Sequence, residues 1–121
     1  MLEGDFFIQK NNESSDGKIN SQLELNAAHK IFSGHFPGQP VVPGVCMIQM
    51  VKEILESSIG KKTRLVKSDH AKFLAMIDPR VHSAINATIK YSENDEGIAV
   101  TASLFKDEIV FLKLKAVFIN I

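Results

Sequence analysis

Apolar residues recur at helical spacing over residues 45–59, directly after a segment rich in proline and glycine. The apolar positions are Val45, Met47, Ile48, Met50, Val51, Ile54, Leu55 and Ile59. They cover most of the circumference, and Lys52 and Glu56 lie on one edge. Pro43 suits the first position of a helix, and Gly60 suits its end. The pattern therefore predicts a buried helix of about four turns.

Apolar and polar residues alternate in the second half of the chain, which is the pattern of β-strands. Ile98, Val100 and Ala102, for example, are separated by small or polar residues. The predicted strands cover residues 63–73, 81–91, 98–105 and 109–119, with Lys106 and Asp107 as the last turn. Ahead of the helix, two short extended segments at residues 6–9 and 19–25 flank a predicted turn at residues 11–17. These elements predict an α+β fold, an antiparallel sheet wrapped around one long central helix.

The composition bounds the class of protein. With 121 residues, 45% of them hydrophobic and 23% charged, the chain has the size and make-up of one globular domain, which we expect to span residues 1–121. Lys and Arg number 14, as do Asp and Glu, so bulk charge favours neither nucleic acid nor an anionic membrane. No apolar run approaches the length of a membrane span.

Cysteine content and the first residues indicate the compartment. The single cysteine, Cys46, excludes an internal disulfide framework. Residues 1–5 lack the basic flank and apolar core of a signal peptide. We therefore expect a cytoplasmic protein. Cys46 itself is interpreted as a packing residue, since no base is evident beside it.

The segment of residues 35–45 is the strongest indication of a site. It places His35 and several prolines and glycines immediately before the predicted helix. Proline fixes φ and glycine permits close backbone approach, so the segment has a defined shape. Backbone N–H groups from Gly44 onward would point towards a bound carbonyl oxygen or anion.

Residues 31–49 resemble the signature of the β-hydroxyacyl-acyl-carrier-protein dehydratases of fatty acid synthesis, which have the hot-dog fold. His-Phe-Pro-Gly, a further Pro, and Pro-Gly-Val opening the helix stand at the family's spacing. The resemblance implies a dimer whose sheets join edge to edge, with active sites at the subunit interface. It implies an acyl carrier protein or coenzyme A thioester as partner, and neither a metal nor an organic cofactor.

The helix departs from the family pattern at two positions. Where the family carries Glu or Asp this chain has Gln49, and one turn later, where Gln is common, it has Glu53. A carboxylic acid can protonate a departing hydroxyl, whereas an amide only hydrogen-bonds to it. Residues four apart share a helix face, so the carboxylate and amide are exchanged along one stripe.

The resemblance assigns roles to these residues in the dehydration of a β-hydroxyacyl thioester to the trans-2-enoyl thioester. His35 would be the base, and the Gly44 N–H would stabilise the enolate-like oxygen. The acid is open: Glu53 supplies it, His35 returns the proton, or another hot-dog subunit brings a carboxylate. Gln49 faces either the substrate or a structural partner. The residues expected to contact the acyl group are Phe36, Pro43, Val45, Met47 and Met50, the two methionines as adaptable walls of an apolar tunnel.

Two other functions stay open. A hot-dog thioesterase would use a carboxylate and water near the same helix. A non-catalytic acyl-binding or partner subunit is favoured by Gln49 itself.

The remaining histidines and the basic residues have plainer interpretations. His29, His70 and His82 have no metal-site spacing and are interpreted as surface or strand residues. A basic run around the third strand is either a solvated face or a docking surface for an acidic carrier protein. Its members are Lys61, Lys62, Arg64, Lys67, Lys72 and Arg80.

Overall fold

A six-stranded antiparallel sheet and one long helix make up most of the computed structural model, which describes residues 2–34 and 40–121. The strands are β1 (Phe7–Ser15), β2 (Lys18–Leu25), β3 (Thr63–Phe73), β4 (Ala84–Asn94), β5 (Gly97–Lys106) and β6 (Ile109–Asn120). The helices are α1 (Ile31–Gly34) and α2 (Gly44–Ile59). This architecture confirms the predicted α+β hot-dog fold.

The strand order is β1-β2-β4-β5-β6-β3, so β3 lies at one edge although it directly follows α2 in the chain. Strand alternation separates the two faces of the sheet: Ile85, Ala87 and Ile89 of β4 are buried, and the residues between them are not. The inner face packs with α2 into the core. Among the described strands β3 pairs with β6 alone, and every residue of β3 after Thr63 is exposed.

The residues that flank α2 explain where the helix begins and ends. Pro43 is extended (φ −60°, ψ 146°) and lies just before the helix. The helix therefore begins at Gly44, one residue later than predicted from Pro43 as its first residue. Gly60 ends the helix as predicted, with a left-handed φ of 71° and its N–H donating to the Glu56 carbonyl at 2.8 Å. None of the helices in the described residues is long and apolar enough to cross a membrane.

The predicted turn at residues 11–17 is wrong for most of its length. β1 continues to Ser15 after a bulge at Lys10, and the connection to β2 is the two-residue turn Asp16–Gly17. A Cβ on Gly17, where φ is 75°, would lie 2.6 Å from the Tyr91 carbonyl oxygen. The second half of β1 is not recognisable as a strand from the sequence because its residues are polar and show no alternation with apolar ones. The dipeptide Asp-Gly is itself a signal of a tight hairpin.

The fourth strand lies three residues later than predicted at both ends. The N–H groups of Val81 and His82 both bond to the Asp78 carbonyl, which makes a turn after Pro79, and Val81 is 70% exposed. The final turn is also displaced by one residue, since β5 continues to Lys106 and Asp107 takes the left-handed conformation with φ 52°, while β6 begins at Ile109 as predicted. These errors move ends of elements and leave their order intact.

Candidate active site

A groove of about 480 Å³ runs between the N-terminal half of α2 and the start of β3. It is lined by Val45, Ile48, Gln49, Lys52, Thr63, Arg64, Leu65, Phe118 and Ile121. Val45 is 76% exposed at its mouth, and Gln49 is partly buried. Two of the residues predicted from the motif, Val45 and Gln49, therefore face the same apolar space.

The start of α2 is held against the sheet by backbone contacts. The Val42 N–H donates to the Ile77 carbonyl at 2.9 Å, and the Cys46 and Met47 N–H groups donate to the Pro43 carbonyl at 2.9 and 3.1 Å. The N–H groups of the first turn of a helix have no intrahelical acceptor. Among the described residues no acceptor is recorded for the Gly44 N–H, and its role as the donor to the thioester oxygen stays a prediction.

Gly44 is also where an aromatic ring meets the helix. A Cβ at this position would lie 2.9 Å from Cζ and 3.0 Å from Cε1 of Phe73, the last residue of β3. The absence of a side chain therefore lets the Phe73 ring lie directly against the backbone of the helix start. Phe73 is half exposed, so its ring borders solvent on the other side.

Glu53 is a buried carboxylate with a full set of donors. Glu53 is 1% exposed. The Leu2 N–H donates to both carboxylate oxygens, at 3.0 and 2.9 Å, and the Glu3 N–H donates to Oε1 at 2.8 Å. Buried charge is tolerated when it is hydrogen-bonded in this way. The carboxylate thereby ties the beginning of the described chain to the middle of α2.

The electrostatic state of Glu53 follows from these contacts. Burial acts to raise the pKa of Glu53, but the hydrogen bonds from Leu2, Glu3 and Gln49 outweigh it and hold the pKa below its ordinary value. The carboxylate is therefore ionised at neutral pH. An ionised carboxylate accepts hydrogen bonds and has none to donate.

Gln49 completes the set of donors around Glu53. Its Nε2 donates to Oε2 of Glu53 at 2.8 Å. Because the carboxylate can only accept, the amide nitrogen of Gln49 must face Glu53, which settles the orientation of the amide. Gln49 also lines the groove, and no partner of its carbonyl oxygen is recorded among the described residues. The structure thus brings Gln49 and Glu53 together, and their catalytic roles stay predictions.

His35 and Phe36 lie outside the described residues, so their assignment as base and acyl contact stays a prediction. The helix that leads to them, α1, is described. The Ile31 N–H donates to Nδ1 of His29 at 3.1 Å, and Nε2 of His29 lies 3.0 Å from Oδ2 of Asp5. His29 therefore orders the start of α1, a role that its sequence position gave no signal of.

The predicted acyl contacts on the inner side of α2 are packed in the core of this chain. Met50 is 0% exposed and Met47 is 3% exposed. A tunnel lined by them stays a prediction. Cys46 is also buried, and burial raises the pKa of its thiol, so the thiol is protonated and packs as expected.

The basic run does not form one uniform surface. Lys67 lies 3.9 Å from both Asp69 and Glu96, and the Arg80 guanidinium donates to Asp78 at 3.0 Å. Lys72 instead faces the outer side of the sheet, where it lines a separate groove. Docking of an acidic carrier on this run stays a prediction.

The sheet wrapped around α2, with a groove at the N-terminal half of the helix, defines a hot-dog-fold protein. The chain belongs to the ApeI-like family: the family model described as ApeI dehydratase matches residues 9–109. The resemblance to hot-dog dehydratases drawn from the motif is thereby confirmed.

Curated relatives agree with this assignment. The 3-hydroxyacyl-[acyl-carrier-protein] dehydratase FabZ of Rickettsia felis is 36% identical over 66 residues, which are 48% of this chain and 46% of that protein. The FabZ of Oenococcus oeni is 27% identical over 92 residues, 70% of this chain and 66% of that protein. The match thus spans about half the length of the Rickettsia relative.

A solved structure shows the same fold over nearly the whole chain. The dehydratase heterocomplex ApeI:P from Xenorhabdus doucetiae superposes with a TM-score of 0.78 at 22% identity, covering 93% of this chain and 96% of that one. At this identity the likeness establishes the fold.

Proposed function

We propose that this chain is a dehydratase subunit that converts β-hydroxyacyl thioesters into trans-2-enoyl thioesters, and that Glu53 is not its acid. The observation that carries the second part is the contact between Gln49 and Glu53. The family membership and the names of the FabZ relatives support the reaction type, and those names also support an acyl carrier protein as the carrier of the thioester.

The reaction needs a base and an acid. His35 removes the α proton, the N–H of Gly44 stabilises the charge that develops on the thioester oxygen, and the β-hydroxyl leaves with a proton as water. Glu53 is unsuited to supply that proton, because it is buried, ionised and already accepting hydrogen bonds from two backbone N–H groups.

Gln49 suits a positioning role. Its amide nitrogen is held by Glu53, and its carbonyl oxygen can accept a hydrogen bond from the β-hydroxyl in the groove. This contact orients the leaving group without protonating it. The proton then comes either from His35, which returns the one it took, or from a carboxylate on a second subunit.

The exposed edge of the sheet supports a second subunit. No described segment pairs with the outer edge of β3, and Val66, Phe73 and Met76 along and beyond it are 51%, 50% and 77% exposed. An exposed, apolar edge strand favours pairing with another chain. Since β3 also borders the groove through Thr63 and Leu65, a subunit paired there reaches the site. The partner is a second copy or another hot-dog chain.

The test is an assay of the purified chain, alone and with a candidate hot-dog partner encoded beside it. Formation of the enoyl thioester from a 3-hydroxybutyryl thioester is followed by its ultraviolet absorbance, on acyl carrier protein and on coenzyme A. We expect turnover, and a loss of about 10² to 10⁴ in rate for His35→Ala with the fold retained. Unchanged turnover in His35→Ala would remove His35 as the base.

A non-catalytic acyl-binding or partner subunit is the second candidate, favoured by the amide at position 49. It predicts tight binding of an acyl carrier thioester with no enoyl product, whether or not a partner is present. Release of free thiol without enoyl product would instead identify a thioesterase.

A further inference from the structure

The outer face of the sheet carries a second groove, of about 490 Å³, on the side away from α2. Thr88 and Lys90 of β4 line it, and Ile89 between them is fully buried on the inner face. Because successive side chains of a strand point to opposite faces, this outer groove is separate from the groove beside Gln49.

Two cross-strand rows of polar side chains form the outer groove. In the first row Lys72 of β3 pairs with Lys113 of β6, which pairs with Ser103 of β5, which pairs with Thr88 of β4. In the second row, Lys115 pairs with both His70 and Thr101, and Thr101 pairs with Lys90. The rows are two residues apart along each strand, which is about 7 Å.

The charge of the outer groove is uncompensated. No Asp or Glu is among the described residues that line it. The ammonium groups of Lys72, Lys90, Lys113 and Lys115 form no ion pair with any described carboxylate, whereas Lys10, Lys52 and Lys67 do. In a chain of zero net charge, this side of the sheet concentrates positive charge.

Lysines on neighbouring strands of this face also lower the stability of the folded chain. Lys72 lies directly opposite Lys113, and Lys90 lies directly opposite Lys18 of β2. Like charges placed directly opposite each other on neighbouring strands are destabilising. An anion bound between the rows would remove this repulsion.

The hydroxyl groups indicate which anion fits. Ser103 lies between Lys113 and Thr88, and Thr101 lies between Lys115 and Lys90, so each row places a hydroxyl group directly beside an ammonium group. The Thr88 hydroxyl already donates its proton to Oδ1 of Asn20 at 3.1 Å, so the hydroxyls offered to an anion are those of Ser103 and Thr101. A phosphate group, with three terminal oxygens and up to two negative charges, uses more of these donors than a carboxylate does.

We propose that the outer groove binds a small molecule that carries two or more phosphate groups, which span the two rows. The ligand is inorganic polyphosphate or a nucleoside polyphosphate, and both present the same linked phosphates. The proposal rests on the outer face alone and is independent of the function assigned to the helix groove.

The test is a calorimetric titration of the full chain with inorganic tripolyphosphate and, separately, with ATP. We expect saturable 1:1 binding that weakens as salt is raised. The variant Lys113→Gln/Lys115→Gln should bind at least tenfold more weakly. Equal affinity for the two probes means that the phosphates alone are recognised, and tighter binding of ATP means that the nucleoside also contributes.

A matched control removes the same charge elsewhere. Lys61 and Lys62 are exposed at the end of α2 and outside the outer groove, so Lys61→Gln/Lys62→Gln should keep the affinity of the parent chain. Ser103→Ala should lower the affinity several-fold without a change of charge. If the control variant loses as much affinity as the groove variant, the attraction is unspecific and the proposal fails.

Two further measurements can overturn it. Because Lys113→Gln relieves repulsion with Lys72, the groove variant should melt no lower than the parent chain, so its loss of affinity cannot be ascribed to unfolding. Binding of a poly-glutamate peptide without binding of tripolyphosphate would show a docking surface for an acidic protein instead.

Discussion

Nε2 of Gln49 lies 2.8 Å from Oε2 of Glu53, one helical turn away on the same face of α2. The amide and the carboxylate therefore form a coupled pair in which each residue sets the state of the other. Glu53 orients the amide, and the amide helps to keep Glu53 ionised. Any carboxyl group introduced at position 49 would meet this charge.

Gln49→Glu should place a general acid at the groove. A carboxyl at position 49 faces an ionised Glu53 whose pKa is held low by backbone donors, so repulsion raises the pKa of the new group and favours its protonated form. We expect the enoyl-forming rate of the chain assayed without a second hot-dog subunit to rise by about 10² or more.

The matched control is Gln49→Leu, which removes hydrogen bonding at the same position and should lower the rate. Steady-state rates of both variants against the parent chain decide the question. A folded Gln49→Glu variant with no gain would mean that protonation of the leaving group does not limit the rate, because the source in His35 or in a partner chain is already sufficient.

Glu53→Gln should act mainly on stability. An amide can accept from one backbone N–H, but its own NH₂ group then opposes another, so charge-assisted bonds to Leu2 and Glu3 are lost. We expect the free energy of unfolding to fall by about 1 to 3 kcal/mol. Urea unfolding measures this, with the exposed Glu93→Gln as the control. A folded variant with abolished turnover and unchanged stability would make Glu53 catalytic after all.

The stability of the chain should depend on pH through Glu53. Its pKa is lower in the folded chain than in the unfolded chain, where it is about 4.3, so the unfolded state binds more protons between the two values. The stabilisation is complete above the unfolded pKa and is lost as pH falls through the folded pKa. Unfolding curves from about pH 6 to pH 3 should show a steeper loss for the parent chain than for Glu53→Gln. Parallel curves would contradict the low pKa.

The order of the elements was predictable because periodicity reports burial. The helical spacing in α2 and the alternation in β4 to β6 each arise because one face of the element is apolar and buried. Gly60 signals the end of α2 because glycine readily takes the left-handed conformation found there. The polar half of β1 has no such face, since residues from Ile8 to Ser15 are mostly exposed, and its strand is set by pairing with β2. Local pattern does not report pairing of that kind.

The site was predictable in part for a similar reason. The motif placed Gly44 at the helix start, and the helical period placed Gln49 beside Glu53. The donors to Glu53 come from backbone N–H groups about fifty residues away in sequence, at Leu2 and Glu3. Backbone groups have no side-chain signature, so sequence alone presents Glu53 as a solvated helix residue or a catalyst and gives no sign of an anchor.

Gly44→Ala should lower turnover by displacing the Phe73 ring. The new Cβ would lie 2.9 Å from the ring, which must move, and because Phe73 is half exposed the ring can move at small cost to stability. We expect a change in melting temperature of only a few degrees and a clear drop in turnover, since the ring shifts at the helix start that holds the Gly44 N–H. Phe73→Leu should remove the clash, so the double variant should recover turnover relative to Gly44→Ala. Additive effects in this double-mutant cycle would show that the ring and the glycine act separately.

Pairing through β3 should be sensitive to its free edge. Sedimentation at micromolar concentration should give twice 13.4 kDa for the parent chain, or a defined heterodimer when a second hot-dog chain is added. Val66→Lys places a charge on the exposed edge strand, where lysine blocks association of edges, and should yield a monomer with the same circular dichroism. Ile109→Lys, also at an exposed apolar position but at the start of β6, is the matched control and should stay dimeric. If a second subunit completes the site as proposed, the Val66→Lys monomer should lose turnover while its α2 groove remains intact. A monomer that retains full turnover would place every catalytic group within one chain and leave His35 as the source of the returning proton.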